Sequence, residues 1–168
     1  MTVRFLDRDE YGKTKELAEV CFGSNADTDD YYNNDIRDNR VAVLEENGAF
    51  LSMVQLRRFL AVYEEHTVPA WYILYVCTAP EQRHKGYMDR VMRFVLQTLK
   101  SEGESFAFLV PVDPAIYYHL GFTKSWRFRE EERELLYADD GLVECFACPF
   151  DAGEFTPPQK LLPTEPTA

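Results

Sequence analysis

The chain has 168 residues, the size of one domain, and 46% of them are hydrophobic, with 12 Phe, 10 Tyr and 2 Trp. That is enough to fill a substantial core and excludes a disordered chain. The formal net charge of −11 argues against nucleic acid as a partner, which calls for a basic face, and is compatible with a cationic substrate such as an amine, although solubility alone accounts for most of the charge.

No apolar run is long enough to span a bilayer, and the N-terminus lacks a basic-then-apolar leader with a cleavage site. No membrane partner and no signal peptide are expected, and the expected compartment is the cytoplasm. The four cysteines, Cys21, Cys77, Cys145 and Cys148, are too scattered for a disulfide scaffold. Cys145 and Cys148 have C-x-x-C spacing, but two further zinc ligands at matching spacing are missing, and the pair lies in an apolar, strand-like run. No metal is expected.

In chain order, Val3–Leu6 reads as a short strand. Asp7 or Asp9 can cap a helix running to about Phe22, broken by Gly23-Ser24-Asn25. Thr28–Arg37 reads as a second, short helix. Asp27, Asp29, Asp30 and Asp35 read as a solvated helix face. Arg40–Leu44 and Ala49–Phe59 read as strands joined through Asn47-Gly48, the strongest short hairpin signal. A polar connection follows, and His66 within it is given no role.

Trp71–Cys77 is an apolar run of strand length. Thr78, Ala79 and Pro80 end it, and Gln82-Arg83-His84-Lys85-Gly86 forms a basic turn. Met88, Val91, Met92, Val95 and Leu99 then make one stripe of an amphipathic helix, ended by Gly103. A helix start presents unpaired N–H groups and the positive end of the macrodipole, and a glycine lets a ligand approach the backbone. The unit therefore reads as an anion site for phosphate or pyrophosphate, or as an ordinary strand-to-helix turn with solvated charges.

Ser105–Val110 is a second buried strand, which the strand–helix–strand order makes parallel to the first. Asp113-Pro114 starts a short helix, Ala115–Leu120, stopped by Gly121. Lys124–Arg129, Glu134–Ala138 and Leu142–Cys148 are later strand candidates. From Pro149 onward the prolines and the lack of periodicity predict an extended or partly disordered tail, from which Phe150, Phe155, Leu161 and Leu162 could pack back.

Arg83-His84-Lys85-Gly86-Tyr87-Met88 resembles the Q/R-x-x-G-x-G/A loop of GNAT N-acetyltransferases, which cradles the pyrophosphate of acetyl-CoA. Tyr75–Thr78 and Ala79–Gln82 are similar to the family's fourth strand and its V-x-P-x-x-R lead-in. Met88 stands where the family usually has Gly or Ala. In this it is similar to the N-terminal domain of the enhanced-intracellular-survival branch, where a large residue also occupies the position. Independently, Ile116–Phe122 resembles the Y-x-x-x-G-F signature, at the expected distance downstream. The resemblance covers Trp71–Phe122 by motif and the N-terminal part by element order.

The resemblance implies an α/β (α+β) fold of the GNAT type: a mixed, mostly antiparallel central sheet with one splayed parallel strand pair, flanked by helices. It implies one such domain over residues 1–148 and a Pro-rich tail over 149–168. The implied co-substrate is acetyl-CoA, and the implied acceptor is a primary amine of a small molecule or a protein, attacked directly. A homodimer is compatible with it. Arg83, His84, Lys85, Gly86, Tyr87 and Met88 would hold the pyrophosphate. Val76, Cys77 and Thr78 would flank the pantetheine arm, with a strand N–H near Val76 facing the thioester oxygen.

Tyr117 aligns with the family's general acid; the competing reading is core packing with its hydroxyl bonded to backbone. Tyr118 should face elsewhere, and His119 is a weaker candidate base. Asp35, Glu64 and Glu81 are the carboxylates considered for the base, and none stands out. A module that binds acyl-CoA without turnover is the alternative function.

Overall fold

The structure is a computed structural model that describes residues 1–131 and 134–164; Glu132 of the acidic run and Pro166 of the tail lie outside the described residues. The chain forms two compact units: Met1–Arg57 with Ile73–Thr98, and Arg58–Tyr72 with Leu99–Ala168. Among the described residues, no helix is long and apolar enough to cross a membrane.

In the first unit, β1 (Thr2–Phe5) pairs antiparallel with β2 (Arg40–Glu46), which pairs with β3 (Ala49–Val62). The β2–β3 connection is a two-residue turn in which Asn47 (φ 51°) and Gly48 (φ 80°) are both left-handed, the type I′ geometry that Asn-Gly favours. The segment expected as one N-terminal helix is split. Arg8–Thr14 winds as 3₁₀ and Lys15–Phe22 as α1. Glu10 reaches back to the Asp7 N–H at 2.9 Å, fixing the start of the 3₁₀ turn.

The segment expected as a second helix is three short pieces: α2 (Ala26–Asp30), a π turn over Tyr31–Asp35 and a 3₁₀ turn over Ile36–Asp38. Asn25 caps α2 by accepting from the Thr28 N–H at 2.9 Å. The π turn brings residues five apart onto one face, which is how both Tyr31 and Ile36 are buried.

β4 (Thr67–Thr78) begins before the apolar run that announces it. After a 3₁₀ turn at Pro80–Gln82 comes α3 (Tyr87–Ser101). The expected stripe is its buried face: Val91, Met92, Val95 and Leu99 are fully buried, each worth about 1.5–3 kcal/mol of burial. Gly103 (φ 81°) ends the helix, with the Glu104 N–H on the Leu99 carbonyl and the Gly103 N–H on that of Lys100, a Schellman closure.

In the second unit, β5 (Phe106–Leu109) pairs parallel with the first half of β4 through Trp71↔Ala107 and Tyr72↔Phe108. The parallel register is thus two residues long, and the Tyr72 and Phe108 rings stack there at 5.2 Å. β8 (Val143–Pro149) pairs antiparallel with β5 and with β6 (Lys124–Glu131), which pairs with β7 (Glu134–Tyr137). The fold is α/β with a mixed sheet containing one parallel pair, as the resemblance implies.

The stretch expected as an extended tail includes a strand, β9 (Lys160–Pro163), which pairs with both β3 and β7. Leu161 is fully buried there, and Phe155 packs at 5.2 Å on Phe106 and 5.6 Å on Trp126. Four residues between prolines carry no period; two open strand edges supply the hydrogen bonds that make them a strand.

Candidate active site

The end of β4 is tied down residue by residue. Cys77 is buried, its carbonyl accepting from Ser52 Oγ at 3.1 Å. Thr78 Oγ1 and Ser52 Oγ are hydrogen-bonded at 2.8 Å. The Thr78 carbonyl accepts from Arg83 Nε at 3.2 Å and from Cys21 Sγ at 3.4 Å, and the Ala79 N–H donates to the Leu51 carbonyl at 2.9 Å. Burial pushes the Cys77 thiol far above its ordinary range, so its side chain belongs to the core. Val76 is half-buried. Tyr75, just before it, has a φ of 48° in the middle of the strand.

Past the 3₁₀ turn the backbone is left-handed at His84 (φ 64°) and again at Gly86 (φ 79°). Arg83, just before them, is extended at φ −71°, ψ 161°. Among the described residues, nothing beyond Gly86 and its two chain neighbours lies within 4 Å of where a Gly86 Cβ would stand. The Gly86 carbonyl accepts the first α3 bond, from the Arg90 N–H at 3.2 Å. The N–H groups of the first helical turn have no intrahelical acceptor.

Of the loop side chains, His84 and Lys85 are exposed and Tyr87 and Met88 half-buried. Lys85 Nζ is 3.0 Å from Gln82 Oε1. Arg83 lies against the Thr78 carbonyl and 3.9 Å from Cys21 Sγ. The nine residues from Val76 to Met88 named in the sequence analysis thus lie along one strand end, loop and helix start of the first unit.

Tyr117 lies in the second unit. The short helix expected at Ala115–Leu120 is two 3₁₀ turns, Pro114–Ile116 and Tyr118–Leu120, with Tyr117 between them at φ −107°, ψ −7°, the sparsely populated bridge region. Asp113 Oδ1 caps the first turn by accepting from the Ala115 N–H at 3.1 Å. The Tyr117 ring meets the buried Phe122 edge-on at 6.1 Å. Its hydroxyl makes no hydrogen bond among the described residues, and burial raises its pKa.

Gly121 (φ 100°) follows, and a Cβ there would stand 3.0 Å from Cys148 Sγ, which explains the glycine of the Y-x-x-x-G-F pattern physically. Tyr118 is exposed and turns to Phe146 at 6.0 Å.

The other acids and thiols separate by role. Asp29 pairs with Lys15 at 2.8 Å and Asp30 accepts from Asn34 at 2.8 Å, whereas Asp27 is exposed. Glu64, Glu81 and His119 are exposed, and Asp35 is half-buried. Cys145 and Cys148 lie three apart in β8, which directs them to opposite faces, so the C-x-x-C spacing does not bring the two thiols together. Burial raises both thiols, that of Cys148 to about 11. Tyr75 and the rings of Phe22, Tyr31 and Tyr32 around it were not among the candidate residues; no sequence signal marks a left-handed tyrosine.

Residues 2–125 match the family model described as "Acetyltransferase (GNAT) domain". No curated protein matches the sequence. Among solved structures, a probable N-acyltransferase from Enterococcus faecalis aligns with TM-score 0.66 at 17% identity, over 77% of this chain and 35% of its own. Eis1 from Mycobacterium abscessus aligns with TM-score 0.60 at 16% identity, over 80% of this chain and 38% of its own. A GNAT family acetyltransferase from Brucella melitensis, solved in complex with acetyl-CoA, aligns with TM-score 0.66 at 15% identity, over 96% of this chain and 94% of its own. The chain therefore spans about a third of the first two structures and nearly all of the third.

Proposed function

The chain belongs to the GNAT acetyltransferase family, and from that premise we propose that it moves an acetyl group from acetyl-CoA to a primary amine of a small molecule or protein by direct attack. The observation that carries the reading is the doubly left-handed loop at His84 and Gly86, opening onto the first turn of α3. It leads into the unpaired N–H groups and positive end of a 15-residue helix, which favour an anion such as a pyrophosphate over a neutral ligand.

In this reading the N–H groups from His84 to Met88 hold the pyrophosphate, and Arg83 and Lys85 add positive charge. Val76 and Thr78 pair with the pantetheine arm through their backbones, as one strand pairs with an inserted one. The Val76 N–H donates to the thioester oxygen, where negative charge develops as the amine attacks. Tyr117 holds the proton that the departing thiolate takes. A phenol that makes no hydrogen bond among the described residues and that burial keeps protonated has that proton to give.

Thiol release from acetyl-CoA, measured over a panel of amines with wild type and Tyr117→Phe, tests the reading. Release with at least one amine, strongly reduced in the variant, supports it. Tight CoA binding with no release from any amine would assign a sensor that binds acyl-CoA without turnover.

A further inference from the structure

Tyr75 adopts φ 48° inside β4. A non-glycine residue there gives up about 1–2 kcal/mol to steric contact, so the conformation persists only where its surroundings impose it. Those surroundings are aromatic. Tyr31 stacks on Tyr75 with ring centroids 4.7 Å apart and planes 25° from parallel. Phe22 meets it edge-on at 5.3 Å, and Tyr32 at 6.4 Å.

The two tyrosines of this surround are fixed by a buried polar chain. Asn39 Nδ2 donates to Tyr31 Oη at 2.8 Å, and the Tyr31 hydroxyl donates to Gln55 Oε1. Gln55 Nε2 donates to Tyr32 Oη at 3.2 Å. The Tyr32 and Thr14 hydroxyls share a hydrogen bond at 2.8 Å, and the Tyr11 hydroxyl closes the circuit on the Asn39 carbonyl at 2.8 Å. Gln55 is fully buried, and burial pushes the Tyr32 phenol up to about 12, so the chain stays neutral across ordinary pH. Within this network the buried Asn39 Oδ1 is left without a partner among the described residues, while the bonds just named hold the Tyr31 and Tyr32 hydroxyls in place.

A left-handed residue in a strand turns the peptide that follows it out of the direction the ladder would give it. Here that peptide carries the Val76 N–H. We propose that Phe22, Tyr31 and Tyr32 clamp Tyr75 in its left-handed conformation and thereby aim the Val76 N–H at the acetyl oxygen, so that these four aromatic residues are positioning residues for acyl transfer. The proposal rests on the reading of β4 as the acetyl-CoA strand given above. It assigns a purpose to the paired tyrosines, to the π turn that buries Tyr31 and to the buried Gln55, none of which the loop motif uses.

Isotope-edited infrared spectroscopy of acetyl-CoA labelled with ¹³C at its carbonyl tests this without knowledge of the acceptor. Bound to wild type, the carbonyl stretch should shift to lower frequency than in solution. Tyr75→Ala should lose at least half of that shift. Tyr75→Gly, free to take the left-handed conformation, should retain more of it than Tyr75→Ala. Phe22 is 49% exposed, so Phe22→Ala should fold even if Tyr75→Ala does not, and it should give an intermediate shift.

A wild-type shift in Tyr75→Ala or Phe22→Ala, a Tyr75→Gly no better than Tyr75→Ala, or an unshifted carbonyl in bound wild type would each overturn the clamp. If wild type takes up no acetyl-CoA at all, the function proposed above falls, and the clamp's role in acyl transfer falls with it.

Discussion

Arg83 is folded back on the strand that precedes it: its Nε donates to the Thr78 carbonyl at 3.2 Å, and a terminal nitrogen lies 3.9 Å from Cys21 Sγ. The guanidinium therefore ties the loop to the strand end while remaining exposed. Arg83→Glu should weaken CoA binding at least tenfold, since a hydrogen bond to a charged group is worth about 1.5–3 kcal/mol. Calorimetry at low and high salt checks it. The loss should shrink as salt rises, because exposed charges are screened.

Gly86 and Gly103 make a matched pair. Both are left-handed, at φ 79° and 81°, and at both a Cβ would meet nothing within 4 Å. Alanine at either should cost about 1–2 kcal/mol of stability through the backbone alone. Only Gly86→Ala should also weaken CoA binding, because only Gly86 lies in the loop. Thermal unfolding and CoA titration of the two variants, side by side, separate backbone strain from ligand approach.

At Gly121 strain and contact combine: φ is 100°, and a Cβ would stand 3.0 Å from Cys148 Sγ. Gly121→Ala should destabilise by about 2–4 kcal/mol, the backbone cost plus overpacking. Adding Cys148→Ala should recover the overpacking share and leave the backbone share. Denaturant unfolding of the two single variants and the double variant gives the coupling between the sites.

Tyr117→Phe should cut thiol release by roughly 10²–10⁴-fold, the range for a positioned proton donor, with little change in melting temperature, since the hydroxyl makes no hydrogen bond among the described residues. Burial raises the phenol's pKa, so the protonated, active form should persist through the ordinary tyrosine range near pH 10. A pH–rate profile should therefore decline only above it. Stability follows the same sign: the neutral phenol's contribution is present below the unfolded pKa and is lost as pH rises through the higher folded one.

Acid stability should depend on Glu10. Its hydrogen bonds to Arg4, at 2.8 and 2.9 Å, and to the Asp7 N–H hold its pKa down to about 2 from an ordinary 4.5. A lowered carboxyl pKa stabilises the fold above the unfolded value, and that contribution disappears as pH falls from about 4.5 through about 2. Glu10→Gln should flatten this acid limb in melting curves taken between pH 5 and 2.

What the sequence determined by itself is local and periodic. The Asn47-Gly48 turn, the buried stripe from Val91 to Leu99, the glycine stop at Gly103 and the parallel β4–β5 pair follow from residue spacing and backbone preference. Only the tertiary structure decided the rest. Lys160–Pro163 becomes a strand because β3 and β7 offer it two edges. Tyr31–Asp35 winds as a π turn, with both Tyr31 and Ile36 buried. Tyr75 turns left-handed under rings that arrive from distant parts of the chain. Propensity and period act over a few residues, whereas these features arise from contacts between residues far apart in sequence, which no local pattern encodes.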